Sequence, residues 1–148
     1  MASAKSPPTY SIEVRRTVPA PRERVYRAWT DPAALTRWFA PSNAFTTVVH
    51  LLEPKPGGRY RIEMRPPAGP SHTATGVFQE VEPPDRLAFT WRWEEQPAMP
   101  DTLVTVTLEP LGESTEVILS HSLFESERES DEHRQGWTSC LERLPQVL

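Results

Sequence analysis

The chain has 148 residues, a formal net charge of −4 and 24% charged residues, which is the size of a single domain with one hydrophobic core. The acidic balance argues against a protein that binds nucleic acid or an anionic membrane surface. One cysteine excludes an internal disulfide, and the first residues contain no apolar run that could form a signal peptide or a membrane span, so we expect a cytoplasmic protein.

The N-terminal part of the chain predicts a strand followed by two short helices. Residues 1–8 are small, polar and proline-containing, and we predict that they are disordered, with one domain over residues 9–148. Apolar and polar residues alternate over Tyr10–Val18, as they do in a half-buried strand. Proline suits the first turn of a helix, so Pro21 and the pair Asp31 and Pro32 predict two helix starts.

The remainder of the chain predicts six strands and a final helix. Alternating apolar residues between turn signals place the strands near residues 45–52, 59–65, 73–81, 87–93, 103–109 and 115–121. Residues 131–148 have the spacing of one amphipathic helix, and the acidic run at residues 125–131 is expected to precede it. With so many strands and so few helices, we predict an α+β fold in which a curved antiparallel sheet of about seven strands wraps around the C-terminal helix.

Short motifs spread over the chain strengthen this prediction. They are Ala20-Pro21, WTDPAALTRWF from Trp29 to Phe39, PGGRY from Pro56 to Tyr60, Gly76 with Glu80, Phe89-Thr90-Trp91, His121-Ser122 and Gly136-Trp137. In this order they resemble the family of activator of heat-shock-protein-90 ATPase homologues, within the START-like (SRPBCC) superfamily and its helix-grip fold. The resemblance implies a deep cavity between sheet and C-terminal helix, which in the superfamily accommodates lipids, hormones or polyketides. Members include binders, cyclases and co-chaperone domains, so the fold leaves the activity open.

The residues that would line such a cavity are large and mostly apolar. The chain has five tryptophans, and aromatic rings either line apolar pockets or fill cores. We predict the following cavity-lining residues: Trp38, Tyr60, Met64, Phe78, Phe89, Trp91, Trp93, Leu119, His121, His133, Trp137 and Leu141. Each of them could instead pack in the core, and the sequence leaves that choice open.

Two residues are candidates for polar or catalytic roles. His121 shares a strand face with Val117 and Leu119, so its imidazole is expected inside, where a ring nitrogen needs a partner. In one interpretation the partner is structural, such as a backbone carbonyl or Glu80. In the other, His121 and Glu80 together contact a ligand or act as acid and base. His133 is expected near the cavity mouth.

The sequence favours neither a metal nor a cofactor. The histidines and Cys140 are scattered, without the Cys-x-x-Cys or His-x-x-x-His spacing that presets a metal site. Cys140 lies between Trp137 and Leu144 on one helix face, which is typical of a small buried apolar residue rather than a nucleophile. There is no glycine-rich phosphate loop and no Gly-x-Ser-x-Gly elbow.

Three functions are compatible with these observations. The first, which we favour, is binding of a small, mostly hydrophobic molecule between sheet and helix, without catalysis. The second is a cyclase-type or hydrolase-type enzyme that uses the same cavity. The third is a co-chaperone-like domain that meets a protein partner, or a second copy of itself, through the arginine-rich first helix or the acidic run before the last one.

Overall fold

A computed structural model describes residues 9–148, so the disorder predicted for residues 1–8 lies outside the described residues. The elements follow one another in the order predicted from the sequence. They are β1 (Tyr10–Val18), α1 (Arg22–Thr30), α2 (Pro32–Trp38), β2 (Thr46–Leu52), β3 (Arg59–Arg65), β4 (His72–Glu82), β5 (Arg86–Trp93), β6 (Thr102–Leu111), β7 (Ser114–Phe124), α3 (Glu127–Arg143) and a 3-10 turn over Leu144–Val147. Within residues 9–148, no helix is both long enough and apolar enough to cross a membrane.

The strands form one antiparallel sheet in the order β1-β7-β6-β5-β4-β3-β2. Strand β1 pairs with β7, so the first and last strands lie side by side, while α1 and α2 carry the chain across to the opposite edge at β2. Helix α3 packs against β1 and β7, and α2 packs against β2. This arrangement confirms the predicted α+β helix-grip fold with a long C-terminal helix.

The second helix begins as predicted. The side chain of Asp31 accepts a hydrogen bond from the Ala33 backbone N–H at 3.2 Å, and Pro32 occupies the first helical position. At the other end of this helix the indole N–H of Trp38 donates to the carbonyl of Ala28 at 2.9 Å, which ties α2 to α1. Trp38 is completely buried by this contact and by the core around it.

The C-terminal helix begins and ends earlier than predicted. Ser126 caps it, because its hydroxyl accepts from the Glu129 N–H at 3.2 Å, so the acidic run forms the first turns of the helix instead of preceding it. Glu127 and Glu129 then lie near the positive end of the helix dipole, which stabilises them there. The α-helix ends at Arg143, and Pro145 lies in the 3-10 turn that follows.

Strands β4 and β5 approach each other closely at Gly76. A Cβ atom at this position would lie 2.0 Å from the carbonyl oxygen of Thr90. The Thr90 hydroxyl accepts from the Val77 N–H at 2.9 Å, so the side chain of β5 takes part in the pairing here. Only glycine fits against a backbone this near.

We expect Gly76→Ala to lower the free energy of unfolding by roughly 1–3 kcal/mol or more, because the methyl group forces the two strands apart. The matched control is Gly136→Ala on α3, where a Cβ would meet no atom within 4 Å. There the change should raise stability by up to about 1 kcal/mol, since alanine favours the helix. Urea unfolding followed by circular dichroism measures both, and an unchanged midpoint for Gly76→Ala would contradict the close approach.

Candidate functional site

A cavity of about 360 Å³ lies between the inner face of the sheet and α3. Small-molecule sites commonly occupy about 300–1,000 Å³, so this space is large enough for a ligand of modest size. The wall is contributed by the segment after α2, strands β3 to β5, the β5–β6 loop and α3. It consists of Phe39, Pro41, Phe45, Met64, His72, Trp91, Trp93, Glu95, Gln96, Glu132, His133, Gly136, Trp137 and Cys140.

Aromatic rings that brace one another form much of this wall. The ring centroids of Trp91 and Trp137 are 5.2 Å apart, those of Phe39 and Trp137 are 5.6 Å apart, and those of Trp91 and Trp93 are 5.2 Å apart. The Phe39–Trp137 and Trp91–Trp93 pairs are edge-to-face, and Trp91 and Trp137 are tilted by 55°. Such geometry is favourable for aromatic pairs, so the rings hold each other in fixed orientations around the space.

Gly136 leaves room on the helical side of the cavity. It lies in the interior of α3, one turn from both Glu132 and Cys140, which also line the wall. Glycine inside a helix costs about 1 kcal/mol relative to alanine. Because no atom lies within 4 Å of the position that a Cβ would take, a larger side chain at this site could extend over the cavity.

His121 lies behind the wall and has a partner for each ring nitrogen. Its Nδ1 accepts from the indole N–H of Trp137 at 3.0 Å, and its Nε2 lies 2.7 Å from the Thr102 hydroxyl. An indole N–H can only donate, so we infer that the neutral ring carries its proton on Nε2 and donates it to Thr102. The Thr102 hydroxyl in turn donates to the Trp91 carbonyl at 2.9 Å. Every polar atom in this chain of bonds therefore has a partner.

The electrostatic setting keeps His121 uncharged. Burial, with a smaller contribution from nearby His133, lowers the pKa of His121 from 6.5 to about 2. Since the Nδ1 lone pair is already occupied by Trp137, the ring has no free site with which to accept a proton from a ligand. The geometry suits His121 to holding α3 on the sheet and does not suit it to general base catalysis.

His133 has the same neutral character at the wall itself. Its Nδ1 donates to the Glu129 carbonyl at 2.8 Å, and its Nε2 accepts from the indole N–H of Trp93 at 3.1 Å. Burial lowers its pKa. The indole N–H of Trp91, by contrast, is buried and makes no hydrogen bond to any residue that the structure describes. The Trp91 ring lines the cavity, but its N–H is shielded from solvent in this structure.

The structure does not bring Glu80 to His121. A β-bulge separates Phe78 from Glu80, so Phe78 points inward while Glu80 lies on the outer face, where simple alternation would have put both on one face. There its carboxylate accepts from Arg86 at 2.6 Å. Strands β5 and β6 also lie between these two residues' strands. The expected polar pair of His121 and Glu80 is therefore wrong.

The comparison with known proteins settles the family. The protein-family model described as "Activator of Hsp90 ATPase homolog 1-like protein" matches residues 19–148. The chain belongs to this family. No curated protein matches the chain significantly.

Several solved structures share the fold of this chain. One from Chromobacterium violaceum has a TM-score of 0.84 and 29% identity, over 93% of this chain and 95% of that one. Another, from Arthrobacter aurescens, has a TM-score of 0.80 and 27% identity, over 93% of this chain and 84% of that one. A protein of Mycobacterium smegmatis has a TM-score of 0.81 at 16% identity, over 93% and 90% of the two chains, and shows the fold alone.

The predicted cavity residues of this family member fall into three groups. Those that line the cavity are Met64, Trp91, Trp93, His133 and Trp137. Tyr60, Phe78 and Phe89 surround a void of only about 20 Å³ farther along the sheet. The residues that lie in the core are Trp38, Leu119, His121 and Leu141, each with 1% exposure or less. For this last group the cavity prediction is wrong, because neighbouring side chains enclose them completely.

Sequence reasoning missed several residues of the wall. Glu95 and Gln96 lie in the β5–β6 loop, so no strand or helix periodicity pointed to them. Phe39 and Phe45 flank the link between α2 and β2, although the sequence pattern placed Phe45 at the start of a strand. Gly136 had a signal, since glycine is uncommon in the interior of a helix. Cys140 was expected to be a small buried apolar residue, and burial raises the pKa of its thiol to about 12.

The described residues offer no evident metal centre. Within residues 9–148, no group of three or more histidine, cysteine, aspartate or glutamate side chains is arranged to hold a metal ion. The cavity's acidic residues, Glu95 and Glu132, come from the β5–β6 loop and from α3. What the site offers chemically is an aromatic surface, the side-chain amide of Gln96 and these two carboxylates.

Stability should fall as the pH drops below 6.5, the ordinary histidine value from which the folded-state pKa of His121 is depressed. The unfolded chain takes up a proton there that the folded protein does not, so this stabilisation is present above pH 6.5 and is lost toward lower pH. One proton corresponds to a slope of about 1.4 kcal/mol per pH unit. We expect His121→Gln to reduce the dependence of the free energy of unfolding on pH by the amount that one proton contributes. Urea unfolding at several pH values measures this change.

The control for this measurement is His72→Gln, which removes an exposed imidazole and leaves His121 in place. The slope assigned to His121 should survive in that variant. If His121→Gln and the unmodified protein lose stability in parallel between pH 6.5 and acidic pH, then the buried ring is not held neutral and the hydrogen-bond assignment is wrong.

Proposed function

We propose that this protein binds a small, mostly hydrophobic molecule in the cavity between the sheet and α3 and does not transform it. The observation that carries the proposal is the aromatic wall around a space of about 360 Å³. Membership of the Activator of Hsp90 ATPase homolog 1-like family is consistent with it.

The wall can supply useful affinity through burial alone. Each 100 Å² of apolar surface removed from water contributes about 2.5 kcal/mol. Because the rings of Trp91, Trp137 and Phe39 are already braced against one another, little side-chain freedom is lost when a ligand enters. A rigid aromatic ring system is the kind of ligand that gains most from such a wall.

Polar side chains of the wall, which include Glu95, Gln96 and Glu132, are available to orient the ligand. His121 and Glu80 were the residues first considered for this role. Both are already engaged, His121 by Trp137 and Thr102 and Glu80 by Arg86.

The engaged imidazoles of His121 and His133 argue against a histidine base of the kind that the cyclase or hydrolase alternative would use. A general base needs a lone pair within reach of the substrate. Both ring nitrogens of His133 are occupied, by Glu129 and Trp93, and both of His121 are occupied as well. The Cys140 thiol, whose pKa burial raises to about 12, stays protonated and is a poor nucleophile.

We expect Gly136→Leu to weaken binding of the neutral probe 2-naphthalenemethanol by about tenfold or more, because the new side chain occupies the cavity. The matched control is Gln135→Leu, which adds the same side chain at the neighbouring exposed position of α3. Isothermal titration calorimetry measures both affinities, and the control should bind like the unmodified protein.

The tryptophan indole N–H signals in a ¹H–¹⁵N spectrum locate the probe. Trp91, Trp93 and Trp137 line the cavity, whereas Trp29 and Trp38 do not, so the first three signals should move and the other two should stay. Equal affinity of Gly136→Leu and the unmodified protein, or movement confined to Trp29 and Trp38, would overturn the proposed site.

A further inference from the structure

Among the residues that the structure describes, the cavity wall contains acidic residues but no lysine or arginine. The acidic residues are Glu95 and Glu132. The other ionisable wall residues are His72, His133 and Cys140. Of these, His133 is held in its neutral form by its two hydrogen bonds, and Cys140 is a buried thiol.

Two arginines that contact segments next to the wall, Arg143 and Arg61, are directed elsewhere. Arg143 donates to the backbone carbonyls of Ala40 and Ser42 at 3.1 and 3.0 Å. Arg61 forms two hydrogen bonds with the carboxylate of Glu94, at 2.7 and 2.8 Å. Neither guanidinium therefore neutralises the two carboxylates of the wall.

Each wall carboxylate has an oxygen available to a ligand. Glu95 accepts from the Thr73 N–H through Oε1 only, at 2.8 Å. Glu132 contacts Arg128 through Oε1 at 3.0 Å, but the two side chains are 60% and 89% exposed. A surface pair of this kind contributes little to stability, so Arg128 can move away when a cation approaches Glu132.

The aromatic part of the wall suits the same kind of ligand. The faces of tryptophan rings attract cations through their quadrupole, and three tryptophans meet at this cavity. An anionic ligand would lose its water against two carboxylates and find no lysine or arginine among the described residues of the wall. The wall thus combines an apolar surface with two features that favour positive charge.

We propose that the cavity selects hydrophobic cations, that is, molecules with an apolar or aromatic body and an amine or quaternary ammonium group. This inference rests on the proposed function, since it specifies the ligand of the same site. The ammonium group lies near Glu95 and Glu132, while the apolar body packs against the tryptophans.

Three naphthalene probes of nearly equal size test the charge preference: 2-(aminomethyl)naphthalene as the cation, 2-naphthalenemethanol as the neutral compound and 2-naphthoate as the anion. At neutral pH and low salt, the amine should bind about tenfold more tightly than the alcohol, and the naphthoate should bind most weakly. The advantage of the amine should shrink as salt is added, because salt screens the carboxylates.

Matched variants show whether the two carboxylates cause the preference. Glu95→Gln and Glu132→Gln should each lower the ratio of amine to alcohol affinity, and the double variant should bring it close to one. The control is Glu142→Gln on α3, since this residue does not line the cavity. This control should keep the ratio.

The results separate this inference from the proposed function. If the alcohol does not bind at all, the proposed binding site fails. If the alcohol binds but the amine gains no advantage over it, or the naphthoate binds best, the site stands and the inferred cation preference is wrong. A preference that survives in the double variant would show that the carboxylates do not cause it.

Discussion

A chain of hydrogen bonds between buried groups fixes the C-terminal helix on the sheet. The indole of Trp137 donates to His121, His121 contacts the hydroxyl of Thr102, and Thr102 donates to the carbonyl of Trp91. These groups belong to α3 and to three adjacent strands. Leaving one of them unpaired in an apolar interior costs about 1–3 kcal/mol, so the chain of bonds selects one position of the helix.

The same bonds also keep the cavity in place. Trp137 and Trp91 contribute to the chain of bonds through an indole N–H and a carbonyl, and their rings form part of the cavity wall. Moving the Trp137 ring into the empty space would break its bond to His121 and leave a buried polar atom unpaired. Gly136 adds no side chain to fill the space from the helix. The cavity is thus preorganised by polar contacts that lie behind its aromatic wall.

The sequence allowed the fold to be predicted better than the site. The alternation of apolar and polar residues, together with turn residues, determines where strands form. The order of the motifs indicated the family. The cap at Ser126 was missed because an acidic run resembles a linker, and Glu80 was misplaced because a bulge reverses the alternation. Leu119 and Trp91 both occupy buried positions of their strands, yet only Trp91 lines the cavity. Core and cavity walls have the same composition, so only tertiary packing distinguishes them.

A crystal structure of the protein with 2-naphthalenemethanol tests the central claim most directly. The preformed cavity predicts density for the naphthalene rings against Trp91, Trp137 and Phe39, with the bond from Trp137 to His121 retained. Aromatic side chains collapsed into the space, or a probe bound only on the outer surface, would contradict it.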